Sequence, residues 1–351
     1  QNHFNGDETT WLDQINSQVL LNNFNSDIFL PKMPPSWLKD INSWASNIDI
    51  DNFGSQLELA FHNFFYIPAS PIDYDTITDD GSLVSFYLTN INLEKILNNN
   101  KTIIGVIFNL DTHDSGGSHW VSAIIDINKL AIYFSDSVGK FPHKNIVKFM
   151  NNIIEQGNEL ILNNKINTIC NVHAIYMDCD KIDKNSIKIN KEFTLEKGNI
   201  IYLLNKTKKN KNLISNYKQS NEYIPEIYYI ITEINDGIIY LNKDILETSN
   251  KLIIASRTFR GFFNNSKQQK ENTECGIFSI YFHNSYLQNH KCNKNTFYEI
   301  CEDKKSDNDM TEIRKSFFRN NDNYNEKYEI KLSNNKNDVN FIEKYTNYKS
   351  D

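Results

Sequence analysis

The chain predicts an α/β fold, helices flanking a set of short strands, with a small β-rich segment inserted between two parts of one domain. Three observations predict it. Apolar runs at residues 102–108, 120–125 and 130–134 are short and bounded by turn residues, the signature of buried strands. Residues 143–164 are apolar at helical spacing. Residues 193–204 and 228–241 read as further strands and turns, separated by a Lys/Asn-rich loop.

In chain order, residues 1–100 form a mainly helical region. A polar start at Thr10 precedes an apolar-periodic stretch through Leu21 and Phe24, and Pro34-Pro35 interrupts it. Trp37, Leu38, Ile41 and Trp44 then recur at helical spacing, a pattern better suited to core packing than to partner binding. Residues 101–169 hold the strand runs. Asp126-Ile127-Asn128-Lys129 makes the hairpin turn between the second and third. Residues 170–255 form the insertion, in which Asp236-Gly237 marks a tight hairpin. Its pattern fits a small antiparallel barrel of the Tudor-like kind, with an extension of the main sheet as the alternative. Residues 256–320 continue the first domain. Cys275 opens an apolar helix, and residues 309–318 form an amphipathic helix with an acidic start. Residues 321–351 are a polar tail.

The composition narrows the function. The 351 residues carry 39% hydrophobic and 13% aromatic side chains, enough for a large core. A net charge of -7 argues against nucleic acid and anionic membranes as general partners. No run reaches the ~18 apolar residues of a membrane span. The five cysteines are odd in number and unevenly spaced, a poor disulfide framework, and no CxxC pair suggests zinc. The expectation is therefore a reduced, intracellular chain with no metal or organic cofactor.

One constellation carries chemistry. His119 begins the second strand run and Asp136 ends the third, so antiparallel pairing brings them side by side. Cys275 stands at a helix N-terminus, where unpaired N–H groups favour a thiolate, with Gln269 a short way before it. The four supply a general base, its orienting carboxylate, a nucleophile and an oxyanion donor. Glu274 opposes the thiolate unless it points away. Each residue alone has a plainer structural reading; the order and spacing of the set carry the case. His113, Cys292 and Cys301 lack the flanking residues, and Cys170 with His173 lacks a second ligand pair.

His119-Trp120, Asp136-Ser137 and the segment from Gln269 to Gly276 together resemble the ubiquitin-like-protein-specific cysteine proteases, the clan that includes SUMO proteases and the adenovirus maturation protease. Residues 263–280 and 309–318 look closest to the proteases of large double-stranded DNA viruses. The resemblance implies a papain-like core of the SUMO-protease type, with a central mixed sheet and the Cys helix packed on it. It implies cleavage after small residues, commonly Gly-Gly-X, in a narrow cleft covered by Trp120. It implies protein substrates, either capsid and core precursors or a ubiquitin-like protein, in the virion or host cytoplasm. The long separation of Asp136 from Cys275 departs from compact members, and residues 170–255 are the expected site for an activating peptide or capsid partner. The competing expectations are a deconjugase, an acetyltransferase on the same fold and a non-enzymatic capsid-associated protein.

Overall fold

A computed structural model describes residues 30–166, 170, 173, 175–189, 195–205, 227–292 and 294–319. The expected helix at residues 10–24 and the polar tail lie outside the described residues.

Residues 30–100 are less helical than their sequence suggests. The helix expected through Trp44 stops early: α1 spans Pro35–Lys39. Asp40 turns extended, and its carboxylate accepts the Asn42 N–H at 3.0 Å, an Asx turn that competes with the helix. Trp37 is buried while Trp44 is half exposed, so only part of the Trp set is core. Next comes α2 (Asn47–Ala60), started by a capping box between Ser46 and Asp49.

Residues 64–71, expected within the helical region, form strand β1 (Phe64–Pro71). The reason is the apolar run Phe64-Phe65-Tyr66-Ile67, too short for a helix and followed by Pro68. The proline is tolerated because β1 lies at a sheet edge and the register shifts between Ile67 and Ser70.

Short helices α3 (Phe86–Thr89) and α4 (Leu93–Asn98) lead into β2 (Ile103–Asn109), β3 (Trp120–Asp126) and β4 (Ala131–Ser135). With β11 (Arg260–Phe263) these make a five-stranded sheet in the order β1-β2-β3-β4-β11. The outer pairs are parallel and the inner pairs antiparallel, so the sheet is mixed.

Both faces are covered, which is why β2 and β3 are apolar almost throughout. Helix α5 (Lys144–Leu162) packs Ile146, Phe149 and Ile153 on one face. On the other, α6 (Cys275–Asn289) lies with α2, α7 (Thr296–Glu302) and α8 (Asp307–Phe317).

Strands β5 (Ile175–Asp183), β6 (Ser186–Ile189), β7 (Ile200–Asn205), β8 (Tyr228–Asn235), β9 (Ile238–Leu241) and β10 (Lys251–Ser256) close into a barrel in the order β10-β5-β6-β9-β8-β7. The β8–β9 turn is tight because Asp236 and Gly237 both take positive φ. The insertion is thus a barrel of its own and not an extension of the sheet. Strand alternation joins it to the main core. On β10, Leu252 and Ile254 face the barrel interior while Ile253 and Ala255 join the core under α5, and on β7 Ile200, Tyr202 and Leu204 do the same.

A correction concerns the cysteines. Cys170 and Cys292 form a disulfide with Cα atoms 5.0 Å apart, where the sequence suggested only free thiols. The two are 122 positions apart, and the β3–β4 turn brings them together. The Cys170 N–H donates to Asn128 O. The end of α6 returns to the same turn, where the buried Asp126 accepts from Tyr286 Oη at 2.7 Å and His290 Nε2 at 2.8 Å. Lys129 Nζ donates to Lys294 O and Thr296 Oγ1. Spacing along the chain could not reveal a meeting point built by tertiary packing.

Candidate active site

Strand register places the first two residues. β3 and β4 pair antiparallel with Ser122 opposite Ser135, so His119 just before β3 and Asp136 just after β4 flank the same end of the hairpin. His119 Nε2 bonds Asp136 Oδ1 at 2.7 Å. Asp136 is nearly fully buried and well anchored. Its Oδ1 also accepts the Val138 N–H at 2.9 Å and its Oδ2 the Lys140 N–H at 3.3 Å.

The ring's charge state follows from its neighbours. Burial works against a charge on His119, but the hydrogen bond to Asp136 and the interactions with Cys275 outweigh it, and its pKa is pushed up to about 9. The ring is therefore an imidazolium at neutral pH. With Nε2 taken by Asp136, Nδ1 is the nitrogen left for the thiol.

Cys275 is buried at the first position of α6. Its backbone N–H belongs to the helical first turn, whose donors lack intrahelical acceptors. Gly276 follows because nothing larger fits: a Cβ there would lie 2.9 Å from Ala45 Cβ and 3.3 Å from Trp120 Cδ1. Glu274 makes an ion pair with the buried Arg314 at 2.8 Å.

Trp120 is largely buried and its indole N–H donates to Ala45 O at 3.0 Å. It forms the floor of a groove of about 520 Å³ whose other walls include Trp44, Ala69, Pro71, Gly116 and Gly117. Of the two tryptophans on this groove, Trp44 is the more exposed.

Gln269 is buried on the Asp136 side. Its Oε1 accepts from Ser137 Oγ at 2.5 Å, and Ser137 O accepts the N–H groups of Gln268 and Gln269 at 2.8 and 2.9 Å. Its Nε2 donates one hydrogen to Glu271 O at 2.6 Å, which leaves the second for an incoming acceptor.

Two contributors were missed at the sequence level. Asn264 clamps the backbone of Asp136, accepting from its N–H at 2.8 Å and donating to its C=O at 2.7 Å. It sits one residue past β11, and only the pairing of β11 with β4 reveals the contact. Arg314 was legible in principle. It shares a helix face with Met310 and Phe317, and a charge at a core position demands a buried partner.

The rival residues fall elsewhere. His113 pairs with Asp73 at 2.6 Å on the exposed side of the groove. Cys301 has its thiol pushed up to about 12 by burial. Cys170 is bridged, and His173 Nε2 bonds Tyr133 Oη at 2.7 Å. Among the described residues, no group of three or more His, Cys, Asp or Glu side chains is placed to hold a metal, and no helix is long and apolar enough to cross a membrane.

Comparison with known proteins adds a likeness over part of the chain. Residues 88–192 match the Ulp1 protease family, C-terminal catalytic domain. That stretch holds His119, Trp120 and Asp136 and ends before Gln269 and Cys275. A protein of Acanthamoeba polyphaga mimivirus, provisionally named a thiol protease, is 37% identical over 113 residues, 32% of this chain and 34% of the relative. The matching stretch thus spans about a third of that relative. Among solved structures, an ASFV protease superposes with a TM-score of 0.46 at 13% identity, over 89% of this chain and 78% of that one. The C-terminal Ulp1 protease domain, solved in complex with the yeast ortholog of SUMO, gives 0.35 at 12% identity over 90% and 95%. Residues 88–192 are thus similar to the Ulp1 protease family's catalytic domain, a likeness that covers under a third of the chain.

Proposed function

We propose that the chain is a cysteine endopeptidase that cleaves protein substrates after small residues, Gly-Gly-X in the first instance, and that it processes viral capsid or core precursors in the virion or host cytoplasm. The observation that carries this reading is His119, held by Asp136 on one nitrogen and interacting with the Cys275 thiol at a helix N-terminus.

The chemistry follows from those positions. The imidazolium and the helix N-terminus both favour a thiolate. The sulfur adds to the carbonyl carbon of the scissile amide. The negative charge that develops on oxygen is met by the Cys275 N–H and the free Nε2 hydrogen of Gln269. His119 then passes its proton to the leaving amine, and the C–N bond breaks to leave a thioester. In the second half, neutral His119 takes a proton from water, hydroxide adds to the thioester, and the acid product leaves as the thiolate returns. Asp136 keeps the ring oriented and supports its charge throughout. The tight contact of Gly276 with Ala45 and Trp120 supports a narrow approach to the sulfur, which favours small residues before the scissile bond.

The match to the Ulp1 family favours a second reading, a deconjugase acting on a ubiquitin-like protein. Substrate separates the two. A short Gly-Gly-X peptide cleaved by the wild type and untouched by Cys275→Ala supports the endopeptidase. Reaction confined to a full-length ubiquitin-like probe would transfer the assignment to the deconjugase. The barrel is the proposed docking element for an activating peptide or capsid partner, tested by whether such a peptide protects barrel amides from hydrogen exchange.

A further inference from the structure

Helix α8 reaches the site through one side chain. Arg314 is fully buried. Its Nη2 donates to Glu274 Oε2 at 2.8 Å, its Nη1 donates to Ser43 O at 2.6 Å, and its guanidinium carbon lies 4.2 Å from the Trp37 ring centre. Both contacts lead to the reacting groups. Glu274 immediately precedes Cys275. Ser43 opens the short loop to Ala45, whose carbonyl receives the Trp120 indole and whose Cβ packs against Gly276.

Fold stability does not account for the pair. A buried Arg–Glu pair contributes little net stability relative to apolar residues of the same shape. This one also leaves Glu274 Oε1 and Arg314 Nε without partners. Charge at the sulfur does account for it. The groups facing this turn are His119 and Asp136 from the β3–β4 hairpin, Glu271 before α6, and Asp307 with Arg314 from α8. Arg314 is the cation set against Glu274. Burial raises the Glu274 pKa and Arg314 opposes that rise; a carboxylate that kept its charge without Arg314 would stand one residue from the thiol and oppose the charge that the helix N-terminus and His119 favour.

We propose that Arg314 is a positioning residue for the thiol: it cancels the charge of Glu274 beside Cys275, and through Ser43 it locks the Trp44–Ala45 edge of the groove to the nucleophile. The cleavage part rests on the protease reading; the thiol part stands without it.

The test is the rate of Cys275 alkylation by iodoacetamide against pH, with adducts mapped by mass spectrometry. Wild type is compared with Glu274→Gln, Arg314→Met and the double variant, each checked for folding by circular dichroism. Glu274→Gln leaves a lone guanidinium and should raise the rate at pH 6 by about threefold. Arg314→Met should lower it by a similar factor, and the double variant should return it to the wild-type value. The double variant still lacks the Ser43 tether, so its KM for a Gly-Gly-X peptide should rise about threefold or more while its alkylation limb stays normal.

A folded Glu274→Gln with an unchanged rate, or two single variants moving the same way, would overturn the charge role. An unchanged KM in the double variant would overturn the tether. Should Arg314→Met fail to fold, Glu274→Gln alone decides the charge. If wild type cleaves no peptide while the alkylation pattern holds, the protease reading fails and the charge role stands.

Discussion

The sheet domain and the barrel bury very different things. Under the sheet lie Asp126, Lys129, Asp136, Glu274, His283 and Arg314, all nearly or fully inaccessible. The barrel interior is Ile, Leu and Tyr with Cys179, and no ionisable carboxylate, Lys, Arg or His is buried among its described strands. Burying charge costs several kcal/mol per ion unless it is paired, and here Asp126, Asp136 and Glu274 each have a partner. The contrast fits the proposed chemistry on the sheet and a barrel that is a packed unit, a division that can be tested.

The sharpest way to break that division is inside the triad. His119→Ala should lower kcat/KM on any cleaved peptide by at least about 10³-fold, because it removes the acid, the base and the cation beside the thiol. A loss below tenfold in steady-state assays would assign the chemistry elsewhere.

pH gives the next effect. His119 has its folded pKa raised to about 9, with burial opposing and Asp136 and Cys275 prevailing. The leaving amine needs its proton, so activity should fall as pH rises through about 9. The sign for stability is the same: the ring's contribution is complete below its ordinary value near 6.5 and is lost as pH climbs to about 9. A kcat/KM profile still flat at pH 10 would contradict the imidazolium.

Smaller still is Asn264→Ala, which removes two hydrogen bonds from the Asp136 backbone. The expected loss is about tenfold in kcat, roughly 1.4 kcal/mol, with KM unchanged.

The smallest effect on turnover should come from the barrel. Ile254→Ala empties a fully buried position and should cost about 2–5 kcal/mol in denaturant unfolding. Turnover of a short peptide by the folded fraction should stay within about twofold. The Cys170–Cys292 bond links the barrel's entrance to the end of α6. Cys170→Ser should lower stability by about 2–4 kcal/mol while sparing peptide turnover. A large kinetic loss from either variant would erase the division between the two regions.

Legibility followed the range of the forces involved. Strands β2 to β4, helices α5, α6 and α8, and the Asp236-Gly237 hairpin were visible because periodicity and turn residues are local signals. His119 and Asp136 were legible together because hairpin pairing fixes which residues meet. β1 was hidden by its prolines and its helical surroundings. The early end of α1 depended on one Asx turn, and the disulfide on a fold-wide meeting point at Asn128. Gln269 was identified by type and position, but its bonds to Ser137 and Glu271 appear only in three dimensions. Asn264 acts through Asp136, 128 positions away and beyond any window of sequence reading; the buried helix face of Arg314 was legible, but its partner Glu274, 40 positions away, was not.

The central claim is that one thiol is singled out by its neighbours. Cys179, Cys275 and Cys301 are the cysteines outside the disulfide among the described residues. The most direct measurement is limited alkylation at pH 7 with site mapping, in wild type and His119→Ala. The account predicts that Cys275 reacts far ahead of Cys179 and Cys301, and that the lead disappears in the variant. Equal labelling of the three, or a lead that survives the loss of His119, would contradict it.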